Sequence, residues 1–455
     1  MAKEGESEYC YKTYQWGNEL YECVSNEKLS PVEIVVIVVV TTILIILVAC
    51  LVRQLYKKNT PNNGNNVSSS DIYDVIVVGG GIIGRFTALQ IKETHKEGNI
   101  LLIDQYTMPQ SHGSSKGHSK GIQRANWNKI ETCAMKKMKD DSISEWERLN
   151  RICSRPIVTK SNALFIGPTE SAFMKNTLTS LKKYPDCQQM KFIDTLQQDY
   201  PNINFSDNCV GILDTSELCL GADEILKQIL ETFMKLGGIK RTTKVIKVTP
   251  GATISVCTDY FEYRTKQLVV ATGPWSSSFL HGLGLDIEFT KKHAMEGYWK
   301  LKSCPETICP SVFEYKDKSI FWTNYTTEYG PSLKLGFAGK EISEEDLKNV
   351  ETMHDKEMVA SMTKYVKNKF SKLITDDEPF LVQNCMYTFT KDRKPIIGRH
   401  PEWGNIFLAV GMSGTGFGYS PAISNIVCDL VLGNEPKYDI SEFSATRSSL
   451  KTEKK

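Results

Sequence analysis

The chain has 455 residues, enough for a large core and more than one domain. Its formal net charge is +2 and no long basic run stands out, which argues against nucleic acid as a partner, since phosphate binding needs concentrated positive charge. The 13 cysteines and 7 histidines form no C-x-x-C pair and no H-E-x-x-H, so a metal enzyme is disfavoured and no metal ligands are assigned.

Residues 1–30 are acidic and read as a short extracytosolic segment. Residues 34–52, "IVVIVVVTTILIILVACLV", hold no charge. As a helix they span about 28 Å at 1.5 Å per residue, close to the ~30 Å hydrocarbon core of a bilayer. The sequence therefore predicts a single transmembrane helix over residues 31–53. Arg53, Lys57 and Lys58 follow it and place the bulk of the chain on the cytosolic side of an unspecified membrane. Cys10 and Cys23 are then suited to pair in an oxidising space. Residues 54–70, rich in Asn and Ser, read as a flexible linker.

The globular part opens with "DIYDVIVVGGGIIGRFTALQIKETHKEGNILLIDQ", residues 71–105. Val75–Val78 is an apolar run suited to a buried parallel strand. Gly79, Gly81 and Gly84 follow as G-x-G-x-x-G and lead into a helix that starts with Ile82 and Ile83. A second strand, Ile100–Ile103, ends in Asp104. The first glycine turns the chain, the second admits a pyrophosphate, and the third lets helix and strand pack closely. The helix N-terminus offers amides to the phosphates, and the acid suits ribose hydroxyls. Two later pieces favour FAD over a nicotinamide cofactor. One is a strand, Leu268–Val270, running into Thr272, Gly273 and Trp275. The other is a strand, a second glycine-rich loop and a helix over residues 404–427; that loop holds Gly411, Ser413, Gly414, Thr415, Gly416 and Phe417.

From about Tyr73 to about Phe443 the chain resembles the FAD-dependent amine oxidoreductases of the D-amino-acid-oxidase-like superfamily, nearest the sarcosine and pipecolate oxidase branch. The segments that carry the resemblance are "VVGGGIIG", "GSSKGHSKGIQRA" (113–125), "VVATGPW" (269–275), "CMYT" (385–388) and "GRHPEWGNIFLAVGMSGTGFGYSP" (398–421). It implies an α/β fold: a Rossmann-like FAD domain with a parallel sheet, and a second, mostly antiparallel substrate domain. The expected FAD domain takes residues 71–150, 221–283 and 381–440. The expected substrate domain takes 151–220 and 284–380, leaving a polar tail at 441–455.

The resemblance also implies a reaction, oxidation of the C–N bond of an amine or of an N-methyl or cyclic amino acid, with dioxygen accepting the electrons and hydrogen peroxide released. By the same resemblance Cys385 attaches FAD covalently, and Met386, Ser114, Ser115 and Lys120 lie against the cofactor. Val245 is expected on a strand near the adenine. Lys334 is placed to favour electron transfer to dioxygen, and Tyr387 to wall the pocket. The two basic residues with which the branch clamps a substrate carboxylate fall here at Gln123 and Gly418, leaving Arg124 as a substitute for the first. Ala338 stands where a histidine is frequent, and Lys116 and Lys120 where His and Arg are. The substrate is therefore expected to be an amine held differently from sarcosine. Two alternatives stay open in the sequence: an anchored flavin dehydrogenase passing electrons to a quinone or carrier protein, and a flavoprotein assembly factor without catalysis.

Overall fold

In the computed structural model of the chain, the described residues are 9–15, 18–24, 72–108, 112–127, 131–153, 155–191, 193–206, 209–303, 310–316, 319–326 and 330–450. Within the unit formed by residues 1–68, Tyr9–Gln15 and Asn18–Val24 pair as an antiparallel hairpin whose register sets Cys10 opposite Cys23. The expected single-pass membrane placement is corrected: among the described residues no helix is long and apolar enough to cross a membrane. The longest helix among the described residues is Cys133–Ile152. It is amphipathic, burying Met135, Met138 and Trp146 while its other face carries Lys136, Lys137 and Asp140. Residues 34–52 themselves lie outside the described residues.

Residues 69–455 form one compact unit built on two large sheets. In the first sheet, Ile72–Val78 lies between Ile100–Asp104 and Glu262–Val270, parallel to both. Ile406–Val410 continues the parallel order beyond Glu262–Val270, and Ile239–Thr242 does so beyond Ile100–Asp104. Val75–Val78, Ile100–Ile103, Leu268–Val270 and Ile406–Val410 read as continuous apolar runs because helices cover them. Ile76, Val77, Leu102 and Phe407 are fully buried. Helices Ile82–Thr94, Cys133–Ile152, Ala222–Lys235 and Ser420–Leu432 contribute Phe86, Trp146, Leu226 and Ile423 to the same core.

The second sheet runs in the order Leu381–Thr390, Phe289–Lys300, Ser332–Ile342, Ser319–Thr326, Ser311–Lys316, Ala163–Gly167, Val210–Asp214, Gln188–Lys191. Its pairs are antiparallel except Ala163–Gly167 with Ser311–Lys316. Met295, Trp299 and Leu335 pack there with Met362 and Phe370 of helix Lys356–Phe370. A small sheet of Ser119–Ile122, Leu218–Gly221 and Val158–Lys160 completes the unit. One expected boundary moves. Leu381–Thr390 pairs along its length with Phe289–Lys300, so it is an edge strand of the antiparallel sheet rather than part of the parallel one.

Candidate active site

The glycine loop forms where Ile72–Val78 gives way to helix Ile82–Thr94. Gly79 has φ +113°, and a Cβ there would meet the Ala271 carbonyl oxygen at 2.2 Å. A Cβ on Gly84 would meet the Gly79 carbonyl oxygen at 1.8 Å, which is the close helix–strand contact the third glycine is needed for. The helix starts at Gly81 without a side-chain cap, and the Ile82 amide donates to Ser115 Oγ at 3.0 Å. Asp104 accepts the Gly80 amide at 2.5 Å and the Tyr106 amide at 2.7 Å, tying the end of the second strand to the loop. Arg85, a residue the sequence reading missed, is fully buried and donates to the carbonyls of Gly80 and Leu226 at 2.6 and 2.8 Å. Burial holds its pKa down to about 10. Its sequence signal was an arginine inside an otherwise apolar helix start.

A cavity of about 1470 Å³ opens from this loop. Of the expected cofactor residues, Gly79, Gly81, Ile82, Ile83, Asp104, Ser114, Ser115, Lys120, Val245, Thr272, Gly273, Trp275, Gly411, Ser413, Gly414, Thr415, Gly416 and Phe417 all line it. Ser413 adopts φ 51°, uncommon for a residue with a side chain. Its amide donates to the Thr388 carbonyl and its hydroxyl to the Gly411 carbonyl, which hold the turn. An uncapped helix start, a glycine cradle and a carboxylate at the strand end along one elongated cavity fit the dinucleotide of FAD.

Beyond the loop, the second sheet supplies the wall. Glu296 on Phe289–Lys300 is buried between two ammonium groups, with Lys334 Nζ at 3.0 Å and Lys120 Nζ at 3.2 Å. Burial alone would raise its carboxyl, but the two cations hold it down at about 2. Lys334 also donates to the Ser119 carbonyl at 2.7 Å, and burial lowers its pKa. All three residues line the cavity. Glu296 was missed in the sequence because nothing in "KKHAMEGYWK" marks which of its charges faces inward.

Cys385 is buried, its Sγ 3.9 Å from both Lys120 Nζ and the Ser114 carbonyl oxygen. Burial pushes its thiol up, with Lys120 opposing. Tyr387, two residues on and so on the same face of the strand, lines the cavity and stands edge-on to Trp322, 6.2 Å between ring centres. Trp127 and Phe313, 5.4 Å apart, line it too. Neither tryptophan was picked out in the sequence.

Of the expected site residues, Gly84, Cys385, Met386 and Arg124 do not line the cavity. Met386 points to the opposite face of its strand and packs with Ile342, Leu347 and Val350, not into the cavity, as the two-residue period of a strand requires. Arg124 does not line the cavity: its Nε lies 3.3 Å from Asp140 Oδ1 and its guanidinium covers the Tyr184 ring, so it does not replace the missing clamp. Lys116 pairs with Glu351. Gln123 and Gly418 do line the cavity, and a Cβ on Gly418 would meet the Ile122 side chain at 3.0 Å. Ala338 is described only in backbone register, opposite Ala294.

The "Peroxisomal sarcosine oxidase" of Mus musculus is 29% identical over 387 residues, covering 83% of this chain and 96% of the relative. The "Monomeric sarcosine oxidase" of Bacillus sp. (strain B-0618) is 26% identical over 392 residues, covering 83% and 97%. Among solved structures, NikD, an amino acid oxidase of nikkomycin biosynthesis, superposes with a TM-score of 0.73 at 18% identity, covering 82% of this chain and 98% of that one. At that identity the likeness speaks for the fold alone. Residues 74–430 match the family described as FAD dependent oxidoreductase, and with the glycine cradle and cavity above, this chain belongs to that family of flavoenzymes, acting on CH–NH donors.

Proposed function

We propose that this chain oxidises the carbon–nitrogen bond of a small amine carrying no carboxylate, with dioxygen as electron acceptor and hydrogen peroxide as product. The observation that carries the reading is the make-up of the cavity: a buried ammonium, Lys334, on the wall of the cavity that the glycine loop opens into, and uncharged Gln123 and Gly418 further along it. FAD, when bound, supplies the two-electron acceptor. The residues around it hold and shape the substrate. Trp127, Phe313, Trp322 and Tyr387 present aromatic faces that exclude water and receive an apolar or cationic amine. Lys139, a further cation on the cavity wall, is already paired with Glu131 at 2.5 Å. Gln123 and Gly418 themselves offer no cation, and a carboxylate desolvated beside them without one is costly. Lys334 stabilises negative charge developing on dioxygen through a fixed nearby ammonium in a low-dielectric site.

The test uses the full chain loaded with FAD. Oxygen uptake and peroxide release are followed with sarcosine and with size-matched N-methyl amines lacking the carboxylate. We expect higher kcat/KM for the latter, with peroxide matching oxygen consumed. A preference for sarcosine, or turnover with a dye acceptor but none with dioxygen, overturns the reading.

A further inference from the structure

The Lys120–Glu296–Lys334 chain is drawn from three strands that are far apart in sequence. We propose that Glu296 is a positioning residue that keeps Lys334 protonated at the cavity wall by standing between it and Lys120. The carboxylate reaches both ammonium groups, at 3.0 and 3.2 Å, so two cations share one counter-charge and a single net positive charge is left at the wall. None of the three is well solvated: the side chains of Lys334, Glu296 and Lys120 are 2%, 4% and 14% exposed.

The titratable groups facing Lys334 come from three elements. Phe289–Lys300 brings Glu296 and Tyr298, whose hydroxyl lies 3.4 Å from the same carboxylate. Ser119–Ile122 brings Lys120, preceded by His118, which is paired with Asp223 at 2.7 Å. Leu381–Thr390 brings Cys385 and Tyr387, both neutral because burial raises them. Asn324, opposite Lys334 on the remaining neighbour strand, carries no charge. Glu296 is thus the group whose charge offsets two buried cations. Without it, two ammonium groups would share a dry site, and the less exposed one, Lys334, would shed its proton first. A neutral amine there no longer offers a full charge to negative charge developing beside it.

The inference deepens the oxygen reading of Lys334 and rests on it for the kinetic part of the test only. Full-length, FAD-loaded protein would be compared with Glu296→Gln, Glu296→Asp, Lys334→Met and the Glu296→Gln/Lys334→Met pair. The first readout is the unfolding midpoint between about pH 6 and about pH 9. Burial already holds the folded pKa of Lys334 below its unfolded value, and in Glu296→Gln it falls further. The unfolded state then binds more protons, so stability rises with pH. We expect the Glu296→Gln midpoint to climb relative to the unchanged protein by about 2 °C per pH unit, and the climb to vanish when Lys334→Met is added. The second readout is reoxidation of the reduced enzyme by dioxygen. In Glu296→Gln it should fall by up to about tenfold per pH unit above the new pKa, while staying level in the unchanged protein. Should Glu296→Gln fail to fold, Glu296→Asp carries the test with a smaller climb in the same direction. Midpoints that run parallel to those of the unchanged protein overturn the proposal. A climbing midpoint with reoxidation unaffected in every variant, Lys334→Met included, upholds Glu296 as the proton holder and removes the oxygen role of Lys334 instead.

Discussion

Cys385 shares a strand face with Tyr387, which lines the cavity, and has the Lys120 ammonium 3.9 Å away and its thiol raised by burial. Thioether formation on a flavin needs the thiolate. If this cysteine carries FAD, attachment to apoprotein should therefore speed up as pH rises, since the thiolate fraction grows toward a pKa that lies above the usual value. Lys120→Met should slow attachment by about tenfold or more, because it removes the cation that opposes burial. The check is flavin fluorescence retained in a denaturing gel band over time at several pH values, with Cys385→Ser as the unattached control. Fluorescence that persists in Cys385→Ser would move the attachment elsewhere.

At the level of elements, the strand–glycine–helix junction has no spare room. Gly84→Ala places a Cβ 1.8 Å from the Gly79 carbonyl oxygen, so helix Ile82–Thr94 must move off the strand. We expect a loss of about 2 kcal/mol or more in stability and weaker FAD retention together, read by denaturant unfolding and by flavin release on dilution. Helix Cys133–Ile152 acts on the other end of the cavity. Trp146 is fully buried, stacks on Phe417 at 6.3 Å and donates Nε1 to the Gly418 carbonyl at 2.8 Å. Trp146→Ala should cost about 3–5 kcal/mol and loosen the loop that lines the cavity. Trp146→Phe, which keeps the packing but not the donor, should cost far less in stability while still reducing FAD affinity.

At the level of the whole molecule, substrate choice emerges where the two sheets meet at one cavity. Gln123 comes from the turn after the small sheet and Gly418 from the glycine loop before helix Ser420–Leu432. A side chain at Gly418 would crowd Ile122, its Cβ 3.0 Å from that side chain, whereas Gln123 already lines the cavity. Gln123→Arg is therefore the single change expected to shift preference toward a carboxylate-bearing N-methyl amine, by about tenfold in the kcat/KM ratio against its uncharged counterpart. An unchanged ratio would show that substrate carboxylates are not met near this position.

The glycine loop, Asp104 and the strands on either side were legible in the sequence because that site is local: spacing along the chain decides which amides converge and which positions must lack a Cβ. Lys334 and Tyr387 were legible only through the family resemblance, and the cavity receives both. The inward role of Glu296, the outward turn of Met386 and of Arg124, and the aromatic wall of Trp127, Phe313 and Trp322 could not be read the same way. A strand's alternation says that neighbours face opposite sides, but not which side faces the cofactor or which distant strand lies alongside. Lys120, Glu296 and Lys334 become one ionic chain only when Ser119–Ile122, Phe289–Lys300 and Ser332–Ile342 are brought together, and Leu381–Thr390 joins the antiparallel sheet because its partner is Phe289–Lys300. The sequence by itself determined the strand–glycine–helix junction to which we assign a dinucleotide's phosphates. Tertiary pairing decided the charge and shape of the chamber beyond them, since buried charges take their properties from neighbours that chain order does not reveal.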